Sequence, residues 1–336
     1  MSDTINRTRR QSVARLASAV TLAGAFGLSA VSAHAAPREV RIASHVSQFS
    51  PLHMQSELFA AEIEKRLPGQ FVFKLFPGGQ LGKEKALMAN VQAGSIEMIN
   101  VASGVMKLDK KLGVFDLPWL FSDRDHVQRA MKGGLETAIR KRIEEVGGVK
   151  VVGVYENGFR HVINSQKVVK TPADLDGLKI RISGGKFRQG VFRKMGATPQ
   201  KVSWGETFTA LQSGVVDGAE AATYGFYEQK HFEAAKHLAL TGHVYTPSFL
   251  LASNTFFNSL TDEQKKVFAE VGTAITAMAY EKSAELEKKY FEEMKSKMEI
   301  NTVDLAAFQK ATASSYEDYV ASQGDEYLKL VRAAAK

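Results

Sequence analysis

Residues 40–79 read VRIASHVSQFSPLHMQSELFAAEIEKRLPGQFVFKLFPGG, and the rhythm of this stretch decides the fold class. Val40-Arg41-Ile42-Ala43 alternates as a strand, and Met54, Leu58, Ile63 and Leu67 make one stripe of a helix over 51–67. Phe71 to Phe76 is a second strand, closed by the turn Pro77-Gly78-Gly79. The alternation continues with a helix at about 83–93, a strand at 98–102, a long helix ending near Val146-Gly147-Gly148 and a strand at 150–155. After Asn157 it restarts. Residues 161–164 are extended, Thr171-Pro172 opens a short helix, and 178–182 is a strand; helix, extended segment, helix and strand follow at 186–195, 199–202, 206–213 and 215–219. Strands alternating with helices specify α/β architecture with largely parallel sheets, and two such runs specify two lobes. A late strand at 247–253 leads to a helical pattern from Thr261 to about Met298, roughly 57 Å long at 1.5 Å per residue. One small lobe cannot hold that length, so the helix spans both lobes or kinks, and Gly272 is its weakest helix former. The remainder reads as one or two amphipathic surface helices.

The chain has 336 residues, enough for about two domains, and no cysteine. Disulfide scaffolds, thiolate metal sites and a cysteine nucleophile are therefore excluded. Its N-terminus carries Arg7, Arg9, Arg10 and Arg15, then a Gly- and Ser-diluted apolar run over 16–31, then Ala33-His34-Ala35. That order is a basic region, an apolar region and a small-residue cleavage site, the pattern of an export signal over 1–35 cleaved near Ala35. The run is shorter than the roughly 20 residues a membrane span needs. Arg9-Arg10 fits a twin-arginine signal while Ser12 departs from it, so that route and the general secretory route both stay open. The formal charge of +8 falls to +5 once this segment is removed, and the remaining basic residues interleave with acids, as over 281–289. Such runs are solvated helix faces rather than a nucleic-acid surface.

Enzyme signatures fail one by one. The eight histidines include no H-E-x-x-H and no i,i+4 pair, so no metal site is expected, and there is no G-x-S-x-G or G-x-G-x-x-G. Gly78-Gly79-Gln80-Leu81-Gly82-Lys83 only approximates a phosphate loop, because Pro77 stands five residues before Gly82 and Glu84 follows Lys83. It reads as a tight strand-to-helix turn whose amides face a cleft. No catalytic residue and no cofactor are expected.

Two arginines stand out. In Leu178-Lys179-Ile180-Arg181-Ile182, Arg181 lies on the face opposite the aliphatic residues, and Ser183-Gly184-Gly185 then opens a helix whose free amides would add to an anion site. Arg160 sits at the junction of the two lobes, where a guanidinium is placed to hold a carboxylate bidentately.

Five motifs occur in order: Pro77-Gly-Gly-Gln-Leu-Gly82, Asp116-Leu-Pro-Trp-Leu-Phe121, Gly158-Phe-Arg160, Asp174-Leu-Asp-Gly-Leu-Lys-Ile-Arg181, and the segment from Glu206 to Glu220. With them the chain resembles the solute-binding subunit of tripartite ATP-independent periplasmic (TRAP) transporters, in the C4-dicarboxylate-binding family. The resemblance covers nearly the whole chain after residue 35. It implies a two-lobed periplasmic solute-binding fold of type II-like form, with hinge strands and a long bracing helix. Lobe 1 is expected at 36–158 plus about 247–286, and lobe 2 at 159–246 plus about 287–336.

The resemblance further implies an organic carboxylate enclosed between the lobes and delivered to the transporter's membrane subunits, by a monomer or weak dimer. Arg181 becomes the principal carboxylate clamp, Arg160 a second contact, and Trp204 an aromatic packed on the ligand. The family usually has Asn where Ala221 stands, so that amide is missing; Thr223, Tyr224 or Tyr227 is expected to substitute. The loss favours a bulkier acid, aromatic or sugar-derived, over a simple C4-dicarboxylate. His45, Ser47, Phe49, Glu84 and Ser103 are expected on the first-lobe side. A ligand-binding sensor shares these features, an exported enzyme needs a nucleophile or metal that the sequence lacks, and a neutral solute would leave Arg181 without a partner.

Overall fold

A computed structural model describes residues 36–183 and 185–335; the expected export signal and Gly184 lie outside them. Nine strands make one sheet: β1 (Arg38–Ala43), β2 (Phe71–Phe76), β3 (Met98–Val101), β4 (Val149–Asn164), β5 (Lys179–Ile182), β6 (Thr198–Lys201), β7 (Gly218–Ala222), β8 (His237–Ser253) and β9 (Glu299–Asn301). Their order is β2-β1-β3-β8-β4-β7-β5-β6, with β9 beside β8. The outer strands pair in parallel on each side, β2-β1-β3 and β7-β5-β6, as βαβ units require. In the middle, β4 and β8 run antiparallel to each other from Val149 opposite Ser253 to Asn164 opposite His237.

Alternation along the strands separates two packed faces on each half of the sheet. In the first half Ala43, Ile99, Val151 and Leu251 join one core. Their neighbours Ile42, Met98, Val152 and Leu250 join another, with Phe59 and Phe268 from covering helices. In the second half Val162 and Ala239 pack with Ile180 and Phe192, while Ile163 and Leu238 pack with Leu211 and Phe226. Each half is thus a sheet buried on both faces by helices, and the two-lobed α/β expectation holds.

The central strands differ from the sequence reading. Residues 150–155 and 161–164 are parts of one 16-residue strand, and the strand expected at 247–253 begins ten residues earlier, at His237. Gly158, Gly242 and Pro247 look like breakers, but register shifts at Val151/Gly153, Glu156/Gly158 and Arg160/Val162 absorb the irregularity, and Gly158 takes φ 109°. Pro247 has no N–H to give; the carbonyl of Glu156 opposite it accepts from Gln55 Nε2 at 2.6 Å. The strand expected at 215–219 forms three residues later, because Gly214 turns at φ 72°, Val215 is exposed, and the small residues Gly-Ala-Glu-Ala-Ala are the buried ones.

The bracing helix is present in two pieces, Asp262–Ala274 and Thr276–Lys295, joined at Ile275 rather than at Gly272. It starts in the first-half core with Phe268 and Val271 and ends in the second-half core with Met294. Gly272 has a different role from the expected kink: a Cβ there would lie 2.0 Å from the carbonyl oxygen of Val152, so only glycine lets the helix settle on β4. Three terminal helices follow rather than one or two: Leu305–Thr312, Ser314–Gln323 and Glu326–Ala333. Phe308 packs in a second-half core, whereas Tyr319, Tyr327, Leu328 and Val331 join the first-half core with Leu112, Val127 and Leu135.

Gly272→Ala is expected to lower the unfolding free energy by about 1–3 kcal/mol, the usual range for overpacking, with far-ultraviolet circular dichroism unchanged. Denaturant titration of both proteins measures it, and equal stabilities would show that the helix does not need this approach.

Candidate functional site

A cavity of about 840 Å³ opens where the two halves meet across β4 and β8, lined from both. Arg181, on β5, is buried on its wall. Its Nε donates to the carbonyl oxygen of Val202 at 3.0 Å, its guanidinium lies 5.1 Å from the centroid of Trp204, and its NH1 is buried with no hydrogen-bond partner. Burial pushes its pKa down to about 10, and the nearby Glu220 offsets this only in part. This is a desolvated cation with an open donor.

The other buried arginines are paired. Arg160 Nε donates to Glu220 Oε2, while its NH2 donates to the backbone oxygen of Glu220 at 2.8 Å and to Ser183 Oγ at 3.0 Å. Arg188, fully buried on the helix Lys186–Lys194, binds Asp116 Oδ1 through Nε at 2.8 Å and approaches Glu220 Oε1 to 3.4 Å. Burial opposes ionisation of Glu220, but Arg160 and Arg188 prevail and hold it well below the usual carboxylate range. Arg160 therefore lines the cavity with its charge already matched. Ser183 N–H also donates to Glu220 Oε1, at 2.9 Å, so the expected free amide is occupied inside the protein. Gly78 and Gly79 line the cavity as expected, but their amides bond to the Val46 and Ser44 carbonyls, so neither is free for an anion.

On the first-half side, His45, Glu84 and Ser103 all line the cavity. Glu84 accepts from Gly104 N–H at 2.9 Å and stands 3.8 Å from His45 Nε2; burial keeps His45 below its ordinary pKa. Ser47 is one step removed: its Oγ donates to Glu228 Oε2 at 2.8 Å, and Glu228 lines the cavity. Phe49 is 58% exposed and outside the lining; its N–H donates to Ser47 Oγ at 3.2 Å and its backbone oxygen accepts from Tyr290.

On the second-half side Trp204, Ala221 and Tyr224 line the cavity. Trp204 packs against Gly225, where a Cβ would come within 3.0 Å of indole Cη2 and Cζ2. Of the three candidates to replace the amide lost at Ala221, Tyr227 is turned away, bonded to Glu293 and stacked on Tyr290. Thr223 is buried outside the lining, and Tyr224 donates its hydroxyl to Asn157 Oδ1. Asn157 itself lines the cavity, with Nδ2 buried and unpartnered. The sequence reading missed Asn157, Glu228 and Arg188. Arg188 lies in an ordinary helical pattern, Glu228 in a helix, Thr223–Glu228, that was not expected, and only the motif context of Asp116 and Glu220 hinted at buried charge.

The profile described as bacterial extracellular solute-binding protein, family 7, matches residues 42–323. The chain belongs to this family. Its members are solute-binding receptors, and they are periplasmic. The 2,3-diketo-L-gulonate-binding periplasmic protein YiaO of Escherichia coli K12 is 31% identical over 314 residues, covering 91% of this chain and 95% of that one. Among solved structures, the sugar acid binding protein DctPAm of Advenella mimigardefordensis, in complex with galactonate, superposes with a TM-score of 0.85 at 27% identity, covering 89% of this chain and 98% of that one. A TRAP periplasmic solute-binding protein of Pseudomonas putida F1 with bound D-glucuronate gives 0.83 at 29%, covering 87% and 96%. The chain is thus a TRAP-type solute receptor of the carboxylate-binding kind, as its motifs imply.

One acid in this family 7 cavity titrates far from its usual range. Burial pushes Glu228 up to about 8, the Ser47 hydrogen bond offsetting it only in part. Between about pH 4.5 and 8 the folded protein then holds a proton that the unfolded chain has released, so this residue lowers stability progressively as pH rises through that window. Half-buried His161 and buried His231, both pushed down to about 3 by desolvation, act oppositely below about pH 6.5, where the unfolded chain takes up protons and the folded one does not. The difference between Glu228→Gln and the parent isolates the acid. The variant is expected to gain stability over the parent steadily from pH 5 to 8, by up to about 1.4 kcal/mol per pH unit. Thermal melts across pH test this, and a constant offset would contradict it.

Proposed function

We propose that this receptor captures a sugar-derived carboxylic acid between its lobes, with the carboxylate on Arg181. The observation that carries the reading is the buried, unpartnered NH1 of Arg181 facing the cavity. A guanidinium in that state gains most from a bidentate carboxylate, which restores the hydrogen bonds and the charge balance lost on burial. Arg160 contributes field from behind, and Asn157 Nδ2, oriented by Tyr224, supplies the amide absent at Ala221. Unpartnered His45 Nδ1, Trp204 Nε1 and Glu228 Oε1 favour a ligand rich in hydroxyl groups over an aromatic one. The ligands bound in the related structures, galactonate and D-glucuronate, support the same class.

The reading extends to the rest of the pathway: export with cleavage near Ala35, capture in the periplasm by a monomer or weak dimer without catalysis, and delivery to TRAP membrane subunits. It places the lobes at 36–158 with 247–286, and 159–246 with 287–312. The last two helices are assigned to lobe 1 because Tyr319, Tyr327 and Val331 pack there. Ion pairing of Lys83 Nζ with Glu206 Oε1 at the cavity rim, at 2.5 Å, supports a closed arrangement.

Thermal-shift screening of the processed chain against an organic-acid library is expected to return sugar acids, each stabilising by about 2.7 kcal/mol at a hundredfold excess over Kd. A hit set without carboxylates would overturn the proposal. In calorimetry Arg181→Ala is expected to weaken the best hit a hundredfold or more, by about 3–5 kcal/mol, while the unliganded protein melts no lower. Arg188→Met gives the contrasting result: it leaves Asp116 and Glu220 short of a partner and costs about 3–5 kcal/mol of folding stability.

A further inference from the structure

The buried arginines around the cavity are paired with acids except at one point. Arg160 is paired with Glu220 and Arg188 with Asp116, so among the described residues Arg181 is the buried arginine in this wall without an ion-pair partner. Lys85, Lys107 and Lys201, which also line the cavity, are exposed at its rim, where solvent and salt screen them. One ligand carboxylate can pair with Arg181; Glu84 already adds a half-buried carboxylate to the wall, so a second ligand carboxylate would be a buried anion with no free buried cation to meet it.

Glu228 lines the same cavity as Arg181. It stands at the end of Thr223–Glu228, the helix that begins directly after β7 and on whose Gly225 the Trp204 ring rests. Trp204 carries the Arg181 guanidinium against its ring and turns its indole N–H toward Glu228 without reaching hydrogen-bond geometry. The indole thus spans from the clamp to the acid. Ser47 fixes Glu228 Oε2, and Oε1 remains buried and unpartnered. Near neutral pH this carboxyl is largely protonated, so it offers one donor and one acceptor, the complement of a hydroxyl group. When ionised, it repels an anion.

We infer that Glu228 is a specificity-determining residue that reads the far end of the ligand and makes the site select a monocarboxylate with a neutral hydroxylated tail over the corresponding diacid. This rests on Arg181 being the carboxylate clamp.

Matched pairs that differ only at the terminal carbon test it: galactonate against galactarate, and gluconate against glucarate, titrated calorimetrically into the processed chain at pH 7.5. The parent is expected to bind the aldonate at least tenfold more tightly than its aldarate. Glu228→Met, which removes both the donor and the acceptor, is expected to shrink that ratio severalfold, while Glu228→Gln, which like the protonated acid offers a donor and an acceptor, is expected to keep it, with circular dichroism confirming the fold. Equal or tighter binding of the aldarate by the parent overturns the inference, as does an unchanged ratio in Glu228→Met. If neither pair binds but other carboxylates do, the sugar-acid reading fails separately, and the same ratio is read on those acids and their chain-matched diacids. If no carboxylate binds, both fall.

Discussion

A guanidinium held out of water without a carboxylate beside it is an unfavourable arrangement, and the architecture around Arg181 makes it tolerable. Its Nε leans on a backbone carbonyl and its face on Trp204, which leaves one edge open toward the cavity. The neighbouring arginines would deepen the positive potential were they not each matched by an acid, and Glu220 does most of that matching by serving Arg160, Arg188 and the Ser183 amide together. The result is a wall in which, among the described residues, a single buried arginine has no ion-pair partner. Folding free energy given up at that point is recovered when an anion arrives, so the cost of burial becomes a source of binding selectivity.

How much of this was legible before the coordinates depended on whether a residue's role is local. Strands β1, β2, β3 and β5 and the helices between them were readable because periodicity reports which face is buried. Arg181 and Trp204 were readable because an arginine on the face opposite an aliphatic stripe, and a motif segment shared with a known family, both mark a line of sequence. The continuity of β4 and β8 was not readable, since Gly158, Gly242 and Pro247 are ordinary breakers unless a partner strand is present to accommodate the bulges. Gly272 was misassigned for the same kind of reason: its weak helix propensity is a local fact, while the carbonyl of Val152 pressing on it is a tertiary one. Arg188 and Asn157 acquire meaning only from neighbours distant in sequence, Asp116 and Tyr224 among them.

The replacement of the expected amide shows how such a site changes while keeping its chemistry. Ala221 on β7 has no side chain to donate, and compared with an asparagine it leaves room for a carboxamide there. Asn157, on the central strand β4, lines the same cavity with its amide, held in orientation by a tyrosine from the helix after β7. In the proposed site the donor stands on a strand shared by both halves.

That shared position has a mechanical consequence. β4 and β8 are hydrogen-bonded to each other along nearly their full length, so neither half of the molecule can slide past the other without breaking a ladder. The compliant points are the register shifts, and two of the three, at Glu156/Gly158 and Arg160/Val162, bracket the segment that carries Asn157 and Arg160. The least regularly paired stretch of the shared ladder is therefore lined up with the cavity. Under the proposed function, a ligand bonded to Asn157 would rest on the strand segment that is least fixed by its partner.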